Sequence, residues 1–304
     1  MKNDKVYDVA IIGAGIAGIS CAIQLKRQGL KPLLFEKAEA GGLLRNANLV
    51  ENYPGFPQGL SGKELVGKFK THLESLNINP IYEEVIAVTA HRHPERSRGE
   101  SPPLRANSEV FKIQIQNSEY SSRFLVVASG TNPKKLDIKS VFYEVCELYK
   151  QDLPDKTVVI VGSGDAAFDY ALNLVSNSDV KKIIILNRNS KTKCLEILKE
   201  KILKEPKITY IENEEPAEFS GQVVLCRSGR EFKGDYLLAA TGRKANTAFI
   251  DENIKNNTKI FFIGDVKNGN FRQSSIAAGD GIKAAMEISS LHTVSKAVHT
   301  DGYR

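Results

Sequence analysis

The sequence predicts an α/β fold in which a strand, a glycine-rich turn and a helix follow one another twice. The first repeat has an apolar run at residues 7–12, the turn Gly13-Ala-Gly15-Ile-Ala-Gly18 and a helical pattern to Leu25. The second has a β-branched run at residues 157–161, followed by Gly162-Ser-Gly164-Asp-Ala-Ala167. With 304 residues, 41% of them hydrophobic, the chain is long enough for two domains.

The first repeat has the residues that a dinucleotide site needs. Gly13 permits the tight turn, Gly15 lets the backbone approach a pyrophosphate, and Gly18 lets the helix pack closely on the strand. A second strand at residues 32–35 ends at Glu36, where such units place an acid that hydrogen-bonds ribose hydroxyls. We therefore expect a Rossmann-like (ββα) domain here.

The second repeat predicts another Rossmann-like domain with a different nucleotide preference. Its next strand, at residues 182–186, ends at Asn187-Arg188, so no carboxylate is placed to bind a free 2′-hydroxyl. Basic side chains in this loop can pair with the 2′-phosphate of NADPH, because a guanidinium offers forked donors to phosphate oxygens. NADPH is preferred, with NADH or a plain basic surface loop as alternatives. The predicted NAD(P) site consists of Gly162, Gly164, Asp165, Ala167, Arg188 and Lys193, with Lys191 nearby.

Further motifs lie outside the two glycine turns. They are Gly41-Gly-Leu-Leu, Glu51-Asn-Tyr-Pro-Gly-Phe-Pro, Val127-Ala-Ser-Gly130, Ala240-Thr-Gly242, Phe262-Ile-Gly-Asp265, Arg272-Gln273 and Ala277-Ala-Gly-Asp-Gly281. With the two turns, they resemble the low-molecular-weight thioredoxin reductase family of FAD- and NAD(P)H-dependent oxidoreductases, which has the class II pyridine nucleotide-disulfide oxidoreductase fold. The resemblance covers most of the chain.

The resemblance implies the position of FAD and the division into domains. An FAD-binding domain would comprise residues 1–137 and 243–304, with an NAD(P)H-binding domain inserted at 138–242. A helix starting near Ile276 would direct its N-terminal dipole at the flavin. The implied FAD site consists of Gly13, Gly15, Gly18, Glu36, Gly42, Asn52, Gly264, Asp265, Arg272, Gln273 and Ala277.

The cysteine pattern departs from that family. Its members carry a Cys-x-x-Cys pair shortly before the second glycine turn, whereas residues 141–149 hold only Cys146. A single thiol cannot form the internal disulfide that passes electrons to a protein disulfide. We predict hydride transfer from NAD(P)H to FAD and onward to an unidentified acceptor, a small redox protein being one candidate. Three alternatives stay open: a ferredoxin or flavodoxin reductase, a disulfide reductase using Cys146, and a non-enzymatic nucleotide-sensing flavoprotein.

The remaining expectations concern partners and location. Residues 91–106 are polar and proline-rich and predict an exposed loop insertion; His91 and His93 lack a third ligand, so no metal site is expected. The formal charge of +6 is spread along the chain, and no nucleic-acid-binding signature is present. No apolar run is long enough to span a membrane. Scattered cysteines favour a cytoplasmic protein, and the resemblance implies a homodimer.

Overall fold

A computed structural model of the chain describes residues 2–92 and 109–300. Its strands are, in chain order, β1 (Lys2–Ile12), β2 (Pro32–Phe35), β3 (Ala87–Arg92), β4 (Glu109–Gln114), β5 (Glu119–Val127), β6 (Thr131–Pro133), β7 (Val141–Phe142), β8 (Thr157–Val161), β9 (Lys182–Asn187), β10 (Ile208–Glu212), β11 (Pro216–Phe219), β12 (Val223–Cys226), β13 (Glu231–Lys233), β14 (Tyr236–Ala239), β15 (Arg243–Ala245) and β16 (Ile260–Phe262).

The α-helices are α1 (Ile16–Arg27), α2 (Gly62–Ser75), α3 (Val145–Leu148), α4 (Asp165–Asn177), α5 (Glu196–Leu203) and α6 (Ser274–Thr300). Short 3₁₀ helices span Gly42–Asn46, Glu252–Ile254 and Gly264–Val266. The helix α6 begins at Ser274, two residues before the predicted start near Ile276.

The chain folds into two compact units. Unit 1 comprises Met1–Leu44, Leu65–Thr131 and Ala245–Arg304, and unit 2 comprises Arg45–Glu64 and Asn132–Lys244. The segment Arg45–Glu64 is therefore packed with the second unit, although the sequence interpretation assigned it to the FAD domain. The reason is a set of long-range hydrogen bonds, which are described with the site below.

Unit 1 is built on a mixed sheet with strand order β2-β1-β5-β4-β3, and β16 also pairs with β5. The strands β1, β2, β5 and β16 run parallel, whereas β3, β4 and β5 pair antiparallel. Because side chains alternate along β1, Val9 and Ile11 enter one apolar core with α1 and α6, and Ala10 and Ile12 enter another on the opposite face. Because β1 and β2 pair in parallel, their carboxyl ends lie side by side.

Unit 2 has a parallel sheet with strand order β10-β9-β8-β14-β7. Val158 and Ile160 pack against α4 on one face, while Val159 and Val161 pack against the antiparallel strands β11, β12 and β13 on the other. Since β8 and β9 are neighbours in parallel register, the glycine turn after β8 and the loop after β9 lie at the same edge of the sheet. This edge is where ligands of open α/β sheets bind.

The predicted start of the loop insertion differs from the structure. The proposed loop at 91–106 begins too early, because His91 and Arg92 continue β3 and pair with Val110 and Glu109 of β4. Antiparallel pairing across the insertion extends the ladder past the point where the polar composition begins. His93 and the rest of the proposed loop lie outside the described residues.

Candidate functional site

The first glycine turn connects β1 to α1 through three glycines with different surroundings. Gly13 has φ +104°, and a Cβ there would lie 2.3 Å from the carbonyl oxygen of Ala128. A Cβ on Gly18 would lie only 1.9 Å from the carbonyl oxygen of Gly13, so helix and turn are in direct contact. A Cβ on Gly15 would meet nothing within 4 Å. The open space over Gly15 is the space that a pyrophosphate would take.

Helix α1 starts at this open position without a side-chain cap. Gly15 is its N-cap, and within the described part of the chain this cap makes no side-chain hydrogen bond to the helix. The first N–H groups and the helix dipole form an anion site. A phosphate is therefore a fitting partner for this end of α1.

Glu36 stands directly after β2 and is directed at the same turn. Its Oε2 accepts a hydrogen bond from the N–H of Ala14 at 2.8 Å, and its Oε1 accepts one from the N–H of Ala38 at 3.1 Å. Because each carboxylate oxygen can accept a second hydrogen bond, ribose hydroxyls can still donate to it. Gly42 lies close by, since a Cβ there would be 3.2 Å from the Cα of Gly15.

The C-terminal motifs bring a second group of predicted residues onto α1. A Cβ on Gly264 would lie 2.8 Å from the Cβ of Ala17 and 3.7 Å from that of Ala277. The carboxylate of Asp280 accepts hydrogen bonds from the N–H of Gly264 at 3.0 Å and from the Asn268 side chain at 2.6 Å. Asp280 thus fixes the turn that carries Asp265, a role that the sequence interpretation did not assign.

Arg272 offers a donor that fits a ligand in unit 1. Its Nε is buried and has no hydrogen-bond partner among the described residues. Gln273 follows it and precedes α6, where its carbonyl oxygen accepts from the N–H of Ala277 at 2.9 Å. The unsatisfied Nε is the feature expected where a bound group supplies the acceptor.

The predicted FAD residues do not all lie in the same unit. Most belong to unit 1, but Asn52 belongs to unit 2 and is exposed. Beside it, the rings of Tyr53 and Phe56 stack with centroids 6.3 Å apart.

The second glycine turn repeats the plan of the first. Gly162 has φ +148°, and a Cβ there would lie 2.7 Å from the carbonyl oxygen of Ala240. Gly164 is the N-cap of α4 and has open space, because a Cβ would meet nothing within 4 Å. Ala167, the residue in place of the third glycine, is fully buried. Asp165 starts the helix, and its Oδ1 accepts from the N–H of Leu195 at 2.8 Å.

The loop after β9 is basic and lies against this turn. The N–H of Lys193 donates to the carbonyl oxygen of Ser163 at 2.8 Å, which ties the loop to the glycine turn. The basic residues Arg188, Lys191 and Lys193 are exposed along it. Asn187, at the position that corresponds to Glu36, is buried. The arrangement places positive charge where a 2′-phosphate would be bound.

Cys146 lies in a polar cluster within unit 2. Its Sγ donates to Oε2 of Glu144 at 3.7 Å, and its backbone N–H donates to Oδ1 of Asn46 at 3.1 Å. Glu144 also pairs with Arg243 at 3.3 Å. Burial raises the pKa of the Cys146 thiol, and the negative charge of Glu144 raises it further. The thiol form is therefore favoured over the reactive thiolate.

The same cluster explains why the segment Arg45–Glu64 packs in unit 2. The carbonyl oxygen of Asn46 accepts from the side chain of Asn173 at 2.7 Å, and Oδ2 of Asp169 accepts from the N–H of Asn48 at 3.0 Å. Burial raises the pKa of the Asp169 carboxyl to about 6, although backbone hydrogen bonds from Asn48 and Leu49 oppose the shift. A carboxylate on α4 thus holds the segment through its backbone.

Comparison with known proteins shows the family of the chain. The model of the pyridine nucleotide-disulphide oxidoreductase family matches residues 7–281. The chain belongs to this family. A thioredoxin reductase of Bacillus subtilis is 28% identical, over 95% of this chain and 95% of the relative. The solved thioredoxin reductase of Lactococcus lactis, in its FR conformation, is 28% identical with a TM-score of 0.77, covering 93% of this chain and 98% of that one. That of T. acidophilum is 27% identical with a TM-score of 0.75, covering 94% and 99%.

The family membership confirms several predictions. The chain has the thioredoxin reductase-like α/β fold with two dinucleotide-binding domains. It is an oxidoreductase that uses FAD and a nicotinamide dinucleotide. The residues of this family member fit both groups, because two glycine turns each leave open space at an uncapped helix start and Arg272 offers a buried donor. The assignment of individual residues to each cofactor stays a prediction.

Two further observations concern the described residues of this oxidoreductase. They contain no helix with the combination of length and apolar character that crossing a bilayer requires. In residues 2–92 and 109–300, no three His, Cys, Asp or Glu side chains are grouped as metal ligands.

Proposed function

We propose that this chain oxidises NADPH through FAD and passes the electrons from the flavin directly to an external acceptor, without an internal dithiol. The observation that carries the proposal is the environment of Cys146. The thiol has no second cysteine beside it in sequence, donates to Glu144, and has a raised pKa. A thiol held in its protonated form is a poor nucleophile toward a disulfide.

The chain's own residues bind and orient the two dinucleotides. The open glycine positions at Gly15 and Gly164 receive the two pyrophosphates at helix N-termini. Glu36 accepts from a ribose hydroxyl of FAD, and the basic loop at 188–193 pairs with the 2′-phosphate of NADPH. When bound, FAD would supply the redox chemistry, which is acceptance of hydride from the nicotinamide and release of electrons to the acceptor.

The test uses the purified holoenzyme and its Cys146→Ser variant. Under anaerobic conditions the flavin absorbance of both should be bleached by NADPH at the same rate, because Cys146 has no role in that half-reaction. Both should then be reoxidised equally fast by ferricyanide or a benzoquinone. Failure of NADPH to bleach the wild-type flavin, or slower reoxidation of the variant by these acceptors, would refute the proposal.

Experiments on the same reduced enzyme distinguish the alternative functions. A disulfide reductase that uses Cys146 would turn over a low-molecular-weight disulfide, and the serine variant would lose this activity completely. A ferredoxin or flavodoxin reductase would be reoxidised by the carrier protein in stopped-flow mixing. The reoxidation rate would fall as the salt concentration rises, because salt screens the attraction between charged surfaces. A nucleotide-sensing flavoprotein would show a single reduction and no turnover with any acceptor.

Location and assembly belong to the same proposal. The four cysteines are free, and such usage is typical of a reducing compartment, so we propose a cytoplasmic enzyme. A homodimer is proposed on the resemblance, and light scattering of the holoenzyme at micromolar concentration tests it.

A further inference from the structure

The two dinucleotide repeats use the residue where their second strand ends in different ways. After β2, the Glu36 carboxylate is directed at the first glycine turn, where Oε2 accepts from the N–H of Ala14. At the end of β9, the Asn187 side chain bonds within its own loop and to β10. Asn187 is almost completely buried, with a relative exposure of 1%. Because the Asn187 amide is buried and bonds to its own loop and to β10, it belongs to the structure of the loop.

The hydrogen bonds of Asn187 require an amide. Its Nδ2 donates to the carbonyl oxygen of Lys191 at 3.1 Å and to the hydroxyl of Tyr210 at 2.8 Å. Its Oδ1 accepts from the N–H of Asn189 at 3.1 Å. An aspartate keeps the acceptor but loses both donors, and an apolar residue loses all three bonds. The side chain of Asn187 therefore fixes the loop at the end of β9.

The loop is fixed at its other end by the glycine turn itself. The N–H of Lys193 donates to the carbonyl oxygen of Ser163, between Gly162 and Gly164. Residues 188–193 thus form a bridge from the end of β9 back to the expected pyrophosphate site. Exposed cations lie along this bridge at positions 188, 191 and 193.

We propose that Asn187 is a positioning residue that sets the preference for a 2′-phosphorylated nucleotide by holding the basic loop at 188–193 in its folded form. The inference rests on the proposed function in taking NADPH as the donor. A 2′-phosphate lies beyond the end of the second strand of such a unit, which is where this loop stands. Cations held in place before binding lose less conformational freedom than cations on a disordered loop, so they bind the phosphate more tightly.

The experiment compares two ligands that differ by one phosphate. Adenosine 2′,5′-bisphosphate and 5′-AMP are titrated by calorimetry into the holoenzyme, and the ratio of their Kd values is measured. The wild type should prefer the bisphosphate. Asn187→Asp should reduce this preference on the order of 10- to 100-fold, because charge-assisted hydrogen bonds to the phosphate are lost and a carboxylate is added. Binding of 5′-AMP should change little.

Two further variants make the result specific. Asn173→Asp is the matched control, since it also converts a buried amide of unit 2 to a carboxylate but has its hydrogen bonds away from the loop, and its preference should equal that of the wild type. Tyr210→Phe removes one acceptor of Asn187 and should lower the preference in the same direction by a smaller factor. Because it adds no charge, Tyr210→Phe separates loop positioning from the effect of the new carboxylate, and a wild-type ratio in this variant refutes the positioning role. It also decides the question if Asn187→Asp does not fold.

The outcomes that overturn the inference are distinct from those that overturn the proposed function. A wild type without preference, an Asn187→Asp protein with the wild-type ratio, or an equal loss in Asn173→Asp refutes the positioning role. None of these measurements requires turnover. Hence a failure of direct flavin-to-acceptor transfer leaves the binding result intact, and a failure here leaves the bleaching by NADPH intact.

Discussion

Gly15→Ala should separate cofactor binding from folding. Gly15 has φ −73° and ψ 179°, values that alanine adopts without strain, and among the described residues the added methyl group would meet no atom within 4 Å apart from its own chain neighbours. Replacing glycine at such a position reduces the entropy of the unfolded chain. Glycine is also preferred over alanine at an N-cap, and this cost opposes the gain. We therefore expect the free energy of unfolding of the FAD-free protein to change by less than about 1 kcal/mol.

The same methyl group should weaken FAD binding strongly. It fills the open space beside the first turn of α1, where a phosphate oxygen would accept from a backbone N–H. Losing one hydrogen bond to a charged group costs about 1.5–3 kcal/mol, which corresponds to a Kd raised on the order of 10- to 150-fold. Titration of the FAD-free protein, followed by flavin fluorescence, measures the Kd, and urea unfolding of the same preparation measures stability.

Gly18→Ala is the matched comparison, because it adds the same methyl group where there is no room. The Cβ would lie 1.9 Å from the backbone oxygen of Gly13, and a backbone atom cannot move aside as a flexible side chain can. Overpacking of this kind costs about 1–3 kcal/mol of unfolding free energy, and FAD binding should fall together with stability. A Gly15→Ala protein that binds FAD as tightly as the wild type, or one destabilised as much as Gly18→Ala, would refute the reasoning.

Three other predictions follow from the same geometry. Gly164→Ala should raise the Kd for NADPH at least about tenfold and leave FAD content unchanged; equal Kd values by calorimetry would contradict it. Arg272→Met should lower FAD affinity by on the order of tenfold, because the buried Nε donor is lost; unchanged flavin retention on dialysis would contradict it. The folded pKa of Asp169, about 6, lies above the ordinary value, so its contribution to stability is present at low pH and is lost as pH rises from about 4 to 6. In the wild type, ionisation of Asp169 should lower the free energy of unfolding by about 2–3 kcal/mol between about pH 4 and pH 7, and Asp169→Asn should not show this decrease. Identical pH profiles of the two proteins in urea unfolding would disprove this.

The sequence predicts the repeated strand and turn pattern closely because that pattern depends on local chemistry. The strands at Pro32–Phe35 and Thr157–Val161 have the predicted bounds, since each is a short apolar run that a polar residue or a glycine ends. The glycine positions follow from steric demands that only glycine satisfies, as the 2.3 Å and 2.7 Å approaches at Gly13 and Gly162 demonstrate. Local rules of this kind can be read without the fold.

The position of the segment Arg45–Glu64 could not be read in this way. Its partners lie about a hundred residues or more away: Asn48 bonds to Asp169, and Asn46 bonds to Cys146 and Asn173. No periodicity or composition in the segment indicates these contacts. The role of Asp280 is hidden for the same reason, although the residue lies inside a motif that carries the resemblance, because its partner Gly264 is brought near only by the packing of α6.

The two repeats together show why a glycine motif does not define which nucleotide a domain prefers. Both turns have the same strained first glycine and the same open second glycine, so both can bind a pyrophosphate with nearly the same backbone. The difference begins after the next strand, where Glu36 bonds to the turn and Asn187 bonds to its own loop. The missing carboxylate at Asn187 is visible in the sequence but its hydrogen bonds are not, because the contact to Tyr210 depends on the pairing of β9 with β10. The proposed preference for a 2′-phosphate therefore depends on the fold of a loop, and a search for basic residues alone would locate the cations without the residue proposed to position them.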